Sequence, residues 1–184
     1  RSVLKRLIRA QQHLSEINPQ LQLALFDAWR PISVQKFMFN HTIQQTCKSR
    51  GIDINDDSAK STITEIIQEV SCFWANPTFN PSTPPPHSTG AAIDLTLADM
   101  SGNPLDLGGE IDFIGAKSRP DFYENASLRR PYSKHHVFHN RRSLLCSVME
   151  RAGFVQHPGE WWHFSYGDQL WSWFSNQGNA IYGA

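Results

Sequence analysis

The chain has 184 residues, of which 40% are hydrophobic and six are Trp, and this predicts one globular domain over residues 1–184 with a sizeable core. Its 17 basic and 17 acidic residues cancel, so the net charge gives no reason to expect a nucleic-acid partner or an acidic membrane surface. No apolar run in the sequence is long enough to span a bilayer.

The three cysteines, Cys47, Cys72 and Cys146, lie far apart and form no CxxC pair. An odd number at this spacing favours reduced thiols over a disulfide framework, so we expect a cytoplasmic protein, with the periplasm as the alternative. Arg1 opens directly into a helical pattern without an initiator Met. We therefore expect an N-terminus that has been processed or is incomplete.

The N-terminal part is predicted to contain a helix, a strand and a fixed arginine. Apolar residues recur at helical spacing over 3–17, and leucines alternate over 21–25 as in a strand with one buried face. The strand leads into Asp27-Ala-Trp-Arg30-Pro31. Because Pro31 restricts the backbone of the residue before it, the Arg30 guanidinium is positioned either to pair with Asp27 or to bind an anionic group in a cleft.

Two helices and a long loop follow. The apolar spacing predicts helices over 34–49 and 59–74, and the inward face of the first is predicted to be Val34, Phe37 and Met38. Residues 76–89 are rich in Pro, Ser, Thr and Asn and have no periodicity. So long a loop inside a compact domain is usually functional, and this one delivers His87.

The stretch His87-Ser-Thr-Gly-Ala-Ala-Ile-Asp94 combines a histidine, a glycine turn and a carboxylate within an apolar run. Asp94 falls in the segment 91–97, which is predicted to be a central buried strand. A buried carboxylate is costly unless it is paired or bound to a metal. On one straight strand the two side chains would point to opposite faces, whereas a bend at Gly90 lets them converge.

A turn and a second long loop come next. The turn at 101–104 predicts a hairpin with 105–107. The loop over 108–131 carries Glu110 and Asp112. One of these acids could meet a cationic group in a cleft, or both could be solvated.

The C-terminal part is predicted to be a helix, a hairpin and a last helix. The helix over 133–152 contains a cluster of His and Arg that includes Arg142, and we attribute this cluster to a solvated N-terminal part of the helix. The hairpin pairs 154–156 with 161–166, and an amphipathic helix begins near Gln169.

The run Glu160-Trp-Trp-His163 follows the turn-forming pair Pro158-Gly159. Together with His87 and Asp94, His163 makes a set of two histidines and one carboxylate, which leaves an open position on a tetrahedral Zn²⁺. Glu160 is then a free carboxylate beside the metal that can act as general base. Since residues three apart on a strand point to opposite faces, Glu160 must reach the site from the turn.

Helices that precede and follow antiparallel strands indicate an α+β fold. With these motifs in hand, the chain resembles the D-alanyl-D-alanine dipeptidases of the VanX type, zinc peptidases related to D-Ala-D-Ala carboxypeptidases and to the hedgehog domain. The resemblance covers residues 27–166 and rests on the motifs at Arg30, at 87–94, at Asp112 and at 160–163. It implies a small antiparallel sheet flanked by helices.

The resemblance also implies an activity and roles for single residues. One Zn²⁺ per chain would be bound by His87, Asp94 and His163, and the substrate would be the D-Ala-D-Ala dipeptide of peptidoglycan metabolism. Three further residues would act in catalysis and substrate binding. Glu160 would move a proton from water to the leaving amine, and Arg30 would stabilise the oxyanion. Asp112 would bind the free amino terminus.

The chain departs from the family pattern in two places. Pro85 stands two residues before the first predicted zinc histidine, where the family usually has Ser. The chain also begins too late to contain all of the N-terminal segment that helps to wall the cleft in the family. Both departures bear on substrate preference more than on zinc binding.

Three alternatives remain at this point. The first is a D,D- or L,D-carboxypeptidase that trims longer peptidoglycan stem peptides. The second is a catalytically inactive zinc-binding interaction module, against which the presence of both Glu160 and Arg30 argues, because neither is needed to hold the ion. The third, a non-haem iron oxygenase, is disfavoured because its close His-x-Asp pairing is absent.

Overall fold

The computed structural model describes residues 2–183 and centres on one four-stranded antiparallel sheet. The strands follow the order β1-β2-β4-β3 across the sheet, and their bounds are β1 (Leu21–Asp27), β2 (Ala92–Asp99), β3 (Val155–Gln156) and β4 (His163–Ser165). The sheet is flanked by helices, which are α1 (Ser2–Ile17), α2 (Ile32–Ser49), α3 (Lys60–Ser71), α4 (Glu124–Arg129), α5 (Lys134–Arg151) and α6 (Gln169–Phe174). The predicted α+β architecture with a small antiparallel sheet is therefore confirmed.

Strand β2 separates the hydrophobic core from the polar side of the sheet. Side chains alternate across a strand, and Ile93, Leu95 and Leu97 all point into a core that α1 and α5 close from the other side. Full burial of one such side chain stabilises the fold by roughly 1.5–3 kcal/mol. The opposite face of β2 carries Asp94 and Thr96, both buried.

Helices α2 and α3 form a second, smaller cluster, and here the predicted inward face of α2 is wrong. Val34 and Phe37 are 42% and 67% exposed. The buried positions are instead Gln35, Phe39, Ile43 and Cys47, which follow each other at spacings of four. The apolar residues of α2 occur on more than one face, and the packing of α3 decides which of these faces is covered.

Arg142 on α5 is buried, whereas the sequence analysis predicted that it is solvated. Arg142 is only 2% exposed, and its guanidinium lies between the rings of Tyr123 and Trp161 at 4.9 and 5.1 Å from their centroids. Its Nε donates to the carbonyl of Leu107 and its Nη1 to the carbonyl of Arg119, both at 2.8 Å. Arg142 thus holds both ends of the loop 108–118 and is not part of a solvated cluster.

The turn after β2 is present, but it leads into no further strand. Leu105 donates its N–H to the carbonyl of Leu97 at 2.8 Å, and Ala98 forms an isolated bridge with Pro104. The predicted hairpin is therefore reduced to one short return, after which the chain leaves the sheet at residues 106–108.

The inferences drawn from composition can also be compared with the coordinates. Cys47, Cys72 and Cys146 are all free thiols. Among residues 2–183, no helix combines the length and the apolar character that crossing a membrane requires.

Candidate metal centre and active site

Pairing between β2 and β4 brings two of the predicted ligands together. The register places Asp94 directly opposite His163, and residues paired across neighbouring strands project from the same face. His87 comes from a short 3₁₀ turn, Pro86–Thr89, which Gly90 ends with a φ of +69°. This left-handed conformation, easily adopted only by Gly, is the predicted bend that turns His87 towards Asp94.

A backbone contact fixes which ring nitrogen of His87 faces the site. Nδ1 lies 2.9 Å from the carbonyl oxygen of Ala28, to which it donates its proton. The lone pair of the neutral ring is then on Nε2, which points at Asp94. Histidines that ligate metals are usually oriented in this way by a hydrogen bond from the other ring nitrogen.

The three predicted ligand atoms converge on one point. His87 Nε2 lies 3.2 Å from Asp94 Oδ2, His163 Nδ1 lies 3.0 Å from Asp94 Oδ1, and the two nitrogens are 3.3 Å apart. Within residues 2–183 this is the one group of three such side chains whose ligand atoms all lie within 4.8 Å of one another. Asp94 Oδ1 is buried and, despite its closeness to His163, has no partner with hydrogen-bond geometry. An orphaned carboxylate oxygen between two imidazole nitrogens fits a divalent cation such as zinc.

A second chain of hydrogen bonds orients His163. Its Nε2 donates to Ser165 Oγ at 3.4 Å, and that hydroxyl donates to Asp168 Oδ2 at 2.6 Å. Asp168 also accepts the N–H of Trp171 at 2.9 Å and so caps α6. The orientation of the His163 ring is therefore tied to the start of the last helix.

Charge within the cluster opposes the cost of burial. Burial alone would raise the pKa of Asp94, but the close contacts and charges of His163 and His87 hold that pKa well below its usual range. Burial alone would lower the pKa of His163, yet its contact with Asp94 raises the pKa to about 9. A metal ion must displace this proton, so the affinity of the site for metal rises with pH.

Glu160 reaches the site from the turn between β3 and β4, as its spacing from His163 requires. Its carboxylate lies 3.6 Å from His163 Nδ1, and the residue is only 8% exposed. Burial and the neighbouring charges of Asp94 and Asp112 raise the pKa of Glu160 to about 7, although His163 opposes the shift. A carboxylate with a pKa near neutrality is well suited to accept and return a proton.

This raised pKa predicts a pH dependence of stability for the metal-free protein. The pKa of Glu160 is about 7 in the fold against an ordinary 4.5, so its contribution to stability is complete below pH 4.5 and is lost as the pH rises through 7. We expect the free energy of unfolding of metal-free wild type, relative to that of Glu160→Gln, to fall by on the order of 3 kcal/mol between pH 4.5 and pH 8. Urea unfolding of both proteins at several pH values measures this difference, and parallel curves would contradict it.

Arg30 is placed both in an ion pair and in the wall of the site. Its Nε donates to Asp27 Oδ2 at 2.9 Å, Nη2 bonds to the same oxygen, and Nη1 donates to Gln35 Oε1 at 2.7 Å. The ring centroid of Trp74 lies 5.3 Å from the guanidinium carbon. A guanidinium has five N–H donors, and these contacts leave one N–H on each terminal nitrogen for an anionic group in the pocket.

Asp112 also lines the pocket, in a backbone conformation that is unusual for a residue with a side chain. Its φ is +64°, a region in which Asp and Asn are better tolerated than most other residues. Burial and the charge of Asp94 raise the pKa of its carboxyl to about 6, although Arg30 opposes the shift. Glu110, the acid two residues before Asp112, is exposed and does not line this pocket.

All six predicted site residues surround one pocket of about 190 Å³. Two polar residues that the sequence interpretation left out, Gln35 and His157, also line this pocket. Gln35 accepts a hydrogen bond from Arg30 and donates one to the carbonyl of Ala75, both at 2.7 Å. His157 packs against His163 with ring centroids 5.5 Å apart. Burial and the nearby charge of His163 lower the pKa of His157 to about 4, so that ring is neutral. The position of His157 next to the Pro-Gly turn was the one signal of its importance visible in the sequence.

Comparisons with known proteins identify relatives over most of the chain. A D-alanyl-D-alanine dipeptidase from Synechocystis is 46% identical over 177 residues, which cover 95% of this chain and 71% of that protein. A D-alanyl-D-alanine dipeptidase from Escherichia coli is 40% identical over 78 residues, which cover 42% of this chain and 36% of the relative. The chain thus spans about a third of the second relative and less than three quarters of the first.

Solved structures similar over nearly the whole chain include a zinc-bound D,D-pentapeptidase. It is a vancomycin-resistance D,D-pentapeptidase, VanY, in complex with Zn(II), and it matches 95% of this chain and 80% of its own at 13% identity and a TM-score of 0.48. The sequence also matches the peptidase M15 family, described as D-ala-D-ala dipeptidase, over residues 1–179. Since that match and the cyanobacterial relative both extend over almost all of the sequence, the chain belongs to the D-Ala-D-Ala dipeptidase family of peptidases.

Proposed function

We propose that this chain is a zinc-dependent dipeptidase that hydrolyses D-Ala-D-Ala, and that residues 1–184 form a single zinc peptidase domain. Family membership supports peptide hydrolysis and the dipeptide substrate. The observation that carries the proposal furthest is the convergence of Glu160 and Arg30 on the pocket that holds the buried His87, Asp94 and His163 group.

The proposed metal site consists of His87 Nε2, Asp94 and His163 Nδ1. When bound there, zinc would supply a Lewis acid that polarises a carbonyl group and lowers the pKa of water to about 7. The hydrogen bonds to Ala28 and Ser165 hold the two imidazole rings in the required orientation. Two neutral histidines and one carboxylate are the donor set of known catalytic zinc sites.

Glu160 is the proposed general base and general acid. Its carboxylate accepts a proton from the attacking water and returns it to the amine nitrogen when the peptide bond breaks. The structural support is its position 3.6 Å from His163 Nδ1 and the burial of its side chain in the wall of the pocket. Its raised pKa places both protonation states within reach near neutral pH.

Arg30 is the proposed stabiliser of the negative charge that develops on the carbonyl oxygen. Asp27 and Gln35 fix its guanidinium through hydrogen bonds at 2.9 and 2.7 Å. A donor that is fixed before the reaction needs no reorganisation when charge develops, and removal of one such donor typically costs roughly 3 kcal/mol of barrier lowering. The pairing with Asp27 therefore supports a role in catalysis as well as in structure.

Asp112 is the proposed binding group for the free amino terminus. It lies on the wall of the same pocket, close enough to Asp94 and Arg30 for their charges to shift its pKa. The volume of about 190 Å³ is below the roughly 300–1,000 Å³ typical of sites for larger ligands. Both features favour a small dipeptide over a longer stem peptide.

Substrate choice tests the proposal directly. The zinc-loaded protein is assayed with D-Ala-D-Ala, with N-acetyl-D-Ala-D-Ala and with a stem pentapeptide that ends in D-Ala-D-Ala, before and after chelation. We expect zinc-dependent release of D-alanine from the free dipeptide and at least about 10-fold lower kcat/KM on the other two. Preference for the pentapeptide would indicate a carboxypeptidase, and zinc binding without any hydrolysis would indicate an interaction module.

The same panel tests the proposed role of Asp112 through Asp112→Asn. Asn tolerates the left-handed backbone at this position but carries no charge. We expect kcat/KM for D-Ala-D-Ala to fall by about 10–100-fold, because a charge-assisted hydrogen bond to the ammonium group contributes about 1.5–3 kcal/mol. Turnover of the N-acetylated substrate should change little.

Glu110→Gln is the matched control for this variant, since it removes an exposed acid from the same loop. It should behave as wild type on all three substrates. An equal loss for Asp112→Asn on the free and the acetylated dipeptide would show that Asp112 does not recognise the amino group.

A further inference from the structure

His157 occupies a position that links the metal ligands to the proposed base. It follows the last residue of β3 and lines the site pocket. Its ring meets the ring of His163 edge to face at a centroid distance of 5.5 Å. The proposed mechanism assigns no task to this residue.

Three hydrogen bonds tie His157 to the turn that carries Glu160. Its N–H donates to the carbonyl of His163 at 2.9 Å, and its own carbonyl accepts the N–H of Glu160 at 3.3 Å. Its ring Nδ1 accepts the N–H of Gly159 at 3.2 Å. The side chain of His157 therefore closes the same turn that its main chain begins.

The third of these bonds also fixes the state of the ring. A backbone N–H can only donate, so Nδ1 of His157 must act as the acceptor. The proton of the neutral ring is consequently on Nε2. Only one of the two ring nitrogens is thus occupied in holding the turn, and the two nitrogens can be tested separately.

The position of the Glu160 carboxylate depends on this turn. The two residues between His157 and Glu160 are Pro158 and Gly159, and neither offers a polar side chain to hold the segment. Loss of the acceptor would leave the Gly159 N–H without its partner at a partly buried site, which is unfavourable. A displacement of a catalytic group by about 1 Å can lower a rate by about 10²-fold.

We propose that His157 is a positioning residue, whose Nδ1 holds the 157–160 turn and thereby places the Glu160 carboxylate beside the metal ligands. This inference rests on the proposed function, because it presumes that Glu160 acts in hydrolysis. In this proposal Nδ1, and not Nε2, makes the hydrogen bond that holds the turn. His157 acts through Glu160 and makes no contact with the reacting atoms.

Two substitutions separate the ring nitrogens, because the amide oxygen of Asn can replace Nδ1 as an acceptor, whereas Gln reaches the position of Nε2. The zinc-loaded wild type is compared with His157→Asn, His157→Gln and His157→Ala for kcat and KM on D-Ala-D-Ala. We expect Asn to keep kcat within about threefold of the wild type. Gln and Ala should lower kcat by about 10–100-fold, with KM changed by less than about threefold.

Two further measurements do not depend on turnover. Zinc content should stay at one ion per chain in all three variants, since His157 is not a ligand. Hydrogen exchange of the Gly159 amide, followed by NMR, should be slow in the wild type and in His157→Asn and faster in the Gln and Ala variants.

The outcomes that overturn the proposal are distinct from those that overturn the function. Activity retained by Gln and lost by Asn would assign the role to Nε2, and zinc lost from the Asn variant would make His157 part of the metal site. Equal exchange of the Gly159 amide in all four proteins would remove the structural basis. If the wild type itself fails to hydrolyse D-Ala-D-Ala, the proposed function fails, and the exchange measurement still decides whether Nδ1 holds the turn.

Discussion

Replacement of Glu160 by Gln is expected to lower kcat for D-Ala-D-Ala by about 10²–10⁴-fold, the range typical for loss of a general acid–base group. The amide has almost the same shape as the carboxylate but cannot accept a proton from water. Because Glu160 is buried beside His163 without being one of the three converging ligands, we expect the variant to bind one zinc ion per chain. Steady-state kinetics and metal analysis of the same sample measure both effects.

The matched control is Glu65→Gln, which removes an exposed carboxylate on α3. It should leave kcat, KM and zinc content at their wild-type values. A fully active Glu160→Gln variant would remove Glu160 as the base. Loss of zinc from that variant would instead make Glu160 a ligand and require a different proton acceptor.

The second large effect is expected for His87→Ala, which should remove zinc and with it the activity. Loss of a residue that merely orients a ligand costs about 10–100-fold in metal affinity, so loss of a ligand should exceed 100-fold. The variant also leaves Asp94 buried without one of the two imidazoles that hold its pKa down. Metal analysis after gel filtration and calorimetric zinc titration measure the loss.

Thermal unfolding gives an independent check of the same prediction. A ligand that binds only the folded state stabilises it by about 2.7 kcal/mol when its free concentration is 100 times its Kd. Zinc should therefore raise the Tm of wild type and of His41→Ala, a control at an exposed histidine on α2, but not that of His87→Ala. A full zinc content in His87→Ala would refute its role as a ligand.

Local patterns were sufficient to predict most elements of the fold. The helix α1, the strand β2 and the helix α5 have strong periodicity or a bounded apolar run, and all three are confirmed with ends close to those expected. The inward face of α2 was wrong because Val34 and Phe37 belong to an apolar stripe that no other element covers. A helix with apolar residues on several faces leaves the choice of buried face to tertiary packing.

The site shows the same division between local and long-range information. Gly90 and the Pro158-Gly159 pair predicted the bends that bring His87 and Glu160 towards Asp94, and the structure contains both bends. The burial of Arg142 could not be predicted, because its partners are the main-chain carbonyls of Leu107 and Arg119, more than twenty residues away in the sequence. The contact between Gln35 and Arg30 could not be predicted either, because it depends on how α2 is placed relative to the segment before it.

The two bonds from Arg142 bear on how this protein can diverge. Both are made to main-chain carbonyl oxygens, those of Leu107 and Arg119, so the anchorage is indifferent to which side chains occupy the segment between them. That segment includes Asp112, and neither bond requires a particular side chain at any position in it. Replacement of side chains in this loop is therefore expected to change one wall of the pocket while both bonds that attach the loop remain available.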